Sequence, residues 1–125
     1  MSRLGQEKSR QALAFVPEGD AWMFVTREGS DPAARLVFDA AVSGEAAFVL
    51  APGRGALALV ANYDAGHVER LGVFDEIRSY DRSFAGAFTD WMRELAPATV
   101  HLNYSERDIL CDGLTKRIQE LPAAL

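Results

Sequence analysis

Two histidines, one cysteine and a set of carboxylates are the side chains with which this 125-residue chain could move a proton, hold a metal or attack a bond. His67 follows Asp64 by three positions and precedes Glu69 by two. On a helix Asp64 and His67 share a face, a spacing that metal ligands can use. No second cluster lies near them in sequence, and a solvated polar face is the better account of them. His101 and Asn103 are two apart in a β-type run, so both point the same way; a polar residue facing a helix or loop explains this pair too. Cys111 sits beside Asp112 with no cationic neighbour, which reads as a structural thiol, because a reactive thiolate needs positive surroundings. Ser105-Glu106-Arg107-Asp108 has the pattern of a capped turn. Gly53-Arg54-Gly55 reads as a hairpin turn, since a phosphate cradle would have to open a helix. G-x-S-x-G, G-x-x-x-x-G-K-[ST] and H-E-x-x-H are all absent from the sequence. No catalytic residue and no metal ligand is assigned on these grounds.

The elements that would position such residues fit a single domain. Hydrophobic residues make up 49% of the chain and charged residues 25%, which excludes disorder, fibres and disulfide-stapled miniatures. At this length one core can form without a disulfide or a structural metal. Thirteen basic against eighteen acidic residues give a net charge of −5. That balance lacks the basic stripe a nucleic-acid binder needs to neutralise phosphates. Eleven arginines against two lysines, with twenty alanines, suggest a GC-rich bacterial source. A single cysteine fits a reducing cytoplasm. The N-terminus is polar, without the apolar core of a signal peptide. The longest apolar runs, such as Ala56 to Ala61, reach about six residues, far short of a membrane span.

Along the chain, residues 3–16 pattern as a helix that Pro17 to Asp20 ends. Trp22-Met23-Phe24-Val25 is a strand buried on both faces. Residues 27–34 have loop composition, and Arg35 to Phe38 form a short strand or the edge of that loop. Ala46–Leu50 and Ala56–Val60 flank Pro52-Gly53-Arg54-Gly55 and predict a hairpin. Asp64 is expected to cap a short helix to Leu71, closed by Gly72. Phe74 to Tyr80 reads as a more exposed strand. Ser83 caps a helix to Leu95, with Phe84, Phe88, Trp91 and Leu95 on one face. Thr99 to Tyr104 is a strand, and Asp112 caps a last helix carrying Leu114, Ile118 and Leu121. A meander followed by alternating helices and strands predicts an α/β fold with a mixed sheet and flanking helices. Two-metal nuclease chemistry on such a sheet would need a carboxylate midway along the first strand, where this chain has Trp22 to Val25.

Three stretches carry a resemblance. The run from Asp20 through Trp22-Met23-Phe24-Val25 to Ser30-Asp31-Pro32, preceded by a helix, resembles the N-terminal domain of the creatinase, aminopeptidase P and prolidase family. The hairpin and Asn62-Tyr63-Asp64 resemble that family's "A-L-V-V-D-x-R-Y" stretch. Asn103-Tyr104-Ser105 through Asp108 to Gly113-Leu114-Thr115 is similar to an "N-Y-S-x-x-D-x-L-x-D-G-L-T" signature of one bacterial branch. The resemblance covers essentially the whole chain and implies a ribonuclease H-like topology. It also implies that catalysis lies in a C-terminal pita-bread domain outside this chain, where two divalent metal ions in the peptidase branches activate the water that cleaves an Xaa-Pro bond. The N-terminal domain would help form a homodimer and lend loop residues to the mouth of a neighbouring active site. Arg35 stands where the family's "R-Y-L-T-G-F" motif begins, while Leu36 to Ala40 depart from it.

Residues 1–125 are thus expected to form one non-catalytic domain, with no cofactor of its own and no nucleic-acid or membrane partner. Its partners would be the parent's catalytic domain and a second copy. Asp31 and Arg35, in the loop from Glu28 to Asp39, are the candidate substrate-access residues, since a peptide terminus or carboxylate can pair with them. Two other readings stay open. One is a free-standing protein–protein interaction module of the same fold. The other is a small enzyme using His67 or His101, which requires one of them to lie in a concave pocket beside a carboxylate.

Overall fold

The three central strands are largely apolar on both faces, and both faces are covered. A computed structural model describes residues 3–27 and 37–102. Its elements, in chain order, are α1 (Arg3–Leu13), β1 (Ala21–Arg27), β2 (Glu45–Ala51), β3 (Gly55–Ala61), α2 (Asn62–Leu71), β4 (Glu76–Tyr80), α3 (Phe84–Leu95) and β5 (Val100–Leu102). The strands form one sheet in the order β4-β3-β2-β1-β5. β2 runs antiparallel to both β1 and β3, while β4 is parallel to β3 and β5 to β1. Four strands therefore point one way and β2 alone is reversed. This is the α/β architecture with a mixed sheet and flanking helices that the sequence pattern predicts.

Alternation along the strands divides the core into two layers. On one side Phe24, Phe48, Leu50, Ala56, Ala58 and Val60 meet Val16 and Val68, with Leu13 and Leu71 packed against them. On the other, Met23, Val25, Val49, Leu57 and Leu59 meet Phe84, Phe88, Trp91 and Met92 of α3. β3 shows the division most plainly: Ala56 and Ala58 face α1 and α2, and Leu57 and Leu59 face α3. Small side chains leave room on the first face for a set of phenyl rings. Phe38 sits among them, fully buried, with ring centroids 5.3 Å from Phe24, 5.4 Å from Phe48 and 5.2 Å from Phe74.

The helix ends follow from local chemistry. Ser83 caps α3, its Oγ accepting from the Gly86 N–H at 3.1 Å. Gly72 closes α2 in the left-handed region, at φ 67. Two expectations are corrected. α1 stops at Leu13, and the tight turns that follow send Val16 into the core and Phe15 into solvent. Val37 and Phe38 are helical, not a strand, because burying the Phe38 ring among three others outweighs the β pattern of the run. Among the described residues no helix is long and apolar enough to cross a membrane. The expected last helix after Asp112 lies outside the described residues, with Cys111 and Ser105.

The outer edge of β4 is charged. Arg78 donates to Glu76 at 2.8 Å and pairs with Glu94 of α3, and Glu76 also pairs with Arg54 of the hairpin turn at 3.0 Å. The Arg78 guanidinium holds the Glu94 carboxyl below its ordinary range, while hydrogen bonds to Glu94 and Glu76 strengthen the protonation of Arg78.

Candidate functional site

In open α/β sheets, ligand sites form at the carboxyl ends of the parallel strands. Here that end gathers Arg27 at the close of β1, Ala61 at the close of β3, Tyr80 at the close of β4, and Glu45 at the start of β2. The 28–44 connection departs from it at Arg27 and returns at Glu45, and these two residues are register partners. Asp31 and Arg35, the candidate access residues, lie outside the described residues. Both ends of their connection are described.

The returning arm is held at three points. Phe38 anchors it in the core. Farther along, Asp64 takes both oxygens to the chain just before β2. Its carboxylate accepts from the Ser43 N–H at 3.2 Å, from the Ser43 hydroxyl at 3.0 Å and from the Gly44 N–H at 3.0 Å. The third point is the Tyr80 hydroxyl, which donates to the Glu45 carbonyl at 2.6 Å. Burial, followed by the charge of Glu45, pushes the Tyr80 phenol up to about 12, so it stays protonated and a donor at neutral pH. The returning arm is therefore held at its base by hydrogen bonds to Ser43, Gly44 and Glu45.

Asp64 corrects the sequence reading. The residue at the cap position is Ala61, with no side-chain cap bond, and Asp64 lies within the first turn of α2. It is 6% exposed, and its bonds reach back across 21 positions in the chain. A pattern confined to neighbouring residues carries no signal for such a partner. With both oxygens engaged, Asp64 is not half of a ligand pair with His67, whose Nε2 is buried with no hydrogen-bond partner. Among the described residues no group of three or more His, Cys, Asp or Glu side chains gathers around one point.

His101 has more definite surroundings. In register with Trp22 on the α1 face, it lies at a shallow groove of about 450 Å³ with Phe15, Val16 and Pro17. Its Nε2 is 3.0 Å from the Asp20 carboxylate. This is a histidine in a concavity beside a carboxylate, and such a pair can pass a proton. The other lining side chains are the largely apolar Phe15, Val16, Pro17 and Trp22, so among its described residues the groove offers one titratable group and no nucleophile. Phe15, 84% exposed, forms its rim.

No family model matches the chain, and no curated protein matches it. Solved structures do. The X-Pro aminopeptidase from Thermotoga maritima MSB8 superposes with a TM-score of 0.67 at 15% identity, covering 91% of this chain and 30% of that one. The N-terminal domain of Xaa-Pro dipeptidase from Lactobacillus brevis superposes with a TM-score of 0.57 at 12% identity, covering 98% of this chain and 87% of that one. At these identities the likeness is one of fold. The chain spans less than a third of the aminopeptidase and nearly all of the separate dipeptidase domain.

Proposed function

We propose that this chain is a non-catalytic N-terminal domain of an Xaa-Pro-peptidase-like hydrolase, shaping substrate access to a catalytic domain outside it and supporting a homodimer. The observation that carries the reading is the superposition of 98% of the chain on the N-terminal domain of an Xaa-Pro dipeptidase. The 28–44 connection supports it, because its flanking residues Arg27 and Glu45 stand at the end of the sheet where α/β folds present their sites. In this reading Arg35 pairs with a peptide carboxylate and Asp31 with an amino terminus. The two divalent ions of the peptidases belong to the catalytic domain. The described residues of this chain bring no ligand set together for them.

The test is direct. The purified chain, supplied with Mn²⁺ or Co²⁺, is expected to leave Xaa-Pro peptides intact, and turnover would overturn the non-catalytic reading. Sedimentation equilibrium examines the homodimer; a monomer at every concentration removes that part. A second reading, a free-standing interaction module, draws on the apolar groove rimmed by the exposed Phe15. It predicts a stop codon directly after Leu125, whereas the first predicts an open frame continuing into a metal-binding domain.

A further inference from the structure

Tyr63 is an aromatic residue that the fold leaves in the open. It stands in the first turn of α2, at the carboxyl end of β3, with 73% of its surface exposed. Its hydroxyl end rests against Gly44, where a Cβ would come within 2.5 Å of Oη. Gly44 is in turn held by the neighbouring Asp64, whose bonds to Gly44 and Ser43 fix the backbone on which the tyrosine rests. The ring is thus seated at its polar tip and exposed along its length, an arrangement that gives an aromatic contact at low entropic cost. We propose that Asp64 is a positioning residue of the rim: through Ser43 and Gly44 it fixes the returning arm of the 28–44 connection and presents the Tyr63 ring beside it as a contact for substrate. The second half rests on the reading of this end of the sheet as the substrate rim. The first half does not.

The experiment uses the full chain labelled with 3-fluorotyrosine, its ¹⁹F signals assigned by Tyr63→Phe and Tyr80→Phe. Hydrogen exchange is followed at the Ser43 and Gly44 amides. Asp64→Asn keeps one acceptor and Asp64→Ala keeps none. The Tyr63 signal should therefore move toward that of the free amino acid in that order, while the Tyr80 signal stays. Exchange at Gly44 should accelerate about tenfold relative to Val49, the change expected from one net hydrogen bond. Gly44→Ala should shift the Tyr63 signal with the Ser43 amide still protected. If Asp64→Ala fails to fold, Ser43→Ala, which loses only the hydroxyl bond, gives a smaller shift of the same sign. An unmoved Tyr63 signal in folded Asp64 variants overturns the proposal, as does a shift that Tyr80 shares. Turnover of an Xaa-Pro peptide by the chain alone would remove the rim reading and leave the positioning result standing.

Discussion

Truncating Phe38 tests whether the 28–44 connection is anchored in the core. The ring has no solvent exposure and packs on Phe24, Phe48 and Phe74 at centroid distances of 5.2 to 5.4 Å. Phe→Ala at a buried site costs about 3–5 kcal/mol, through lost transfer energy and the cavity left behind. Aromatic pairs add about 0.5–1.5 kcal/mol each, and a site enclosed by three rings has little freedom to collapse. Phe38→Ala should therefore fall in the upper half of that range, near 4 kcal/mol by the same estimate. With a urea m-value of roughly 2 kcal/mol/M, the midpoint would drop by about 2 M. Phe15→Ala is the control: the same chemistry on a ring 84% exposed should change stability by about 0.5 kcal/mol or less. A Phe38→Ala loss under about 1 kcal/mol with an unchanged m-value would refute the anchor. The connection would then be held by Asp64 and Tyr80 alone.

Ser83→Ala removes the cap of α3 and should cost about 1 kcal/mol in urea unfolding. A change of a few tenths would mean that packing of Phe84 holds the helix start unaided. Gly55 has φ +93, and a Cβ there would collide with the Asp75 carboxylate that accepts from the Ala56 N–H. Gly55→Ala should therefore destabilise by more than the roughly 1 kcal/mol of an ordinary left-handed penalty, checked by the same denaturation. Because Arg78 lowers the folded-state pKa of Glu94, the pair stabilises the fold above the unfolded glutamate pKa of about 4.3, and that contribution is lost as pH falls through the folded value. Carboxyl NMR titration should show Glu94 protonating below the ordinary range and Arg78→Gln returning it there.

The parts of the fold that were legible in the sequence are those whose causes are local. Ala46–Leu50 and Ala56–Val60 read as a hairpin because both strands are apolar throughout and the turn between them holds Pro52 and two glycines. α3 read correctly because Ser83 and the Phe84, Phe88, Trp91 stripe declare one cap and one face. Misreadings arose where a distant partner decides. Asp64 looked like a cap because its bonds to Ser43 and Gly44 leave no trace in its neighbours. Val37 and Phe38 read as a short strand or the edge of a loop because the three rings that bury Phe38 come from β1, β2 and the segment before β4. Of the candidate sites, the sequence located a connection and two charged residues in it. Its anchors, and the pairing of His101 with Asp20 across 81 positions, are products of strand order, which no periodicity encodes.

The pairing of β5 with β1 carries a consequence for how the protein is made. Ala21 must wait for Val100, which is synthesised 79 positions later (100 − 21). At roughly 5–20 residues per second that is a delay of about 4 to 16 s. The β1–β2–β3 meander needs only neighbouring sequence and can assemble early in that interval. Throughout it, the far side of β1, a strand of almost wholly buried side chains, presents unpaired amides and carbonyls. The nascent chain thus passes through a stage with one sticky border, which β5 closes once residues 100–102 have been made.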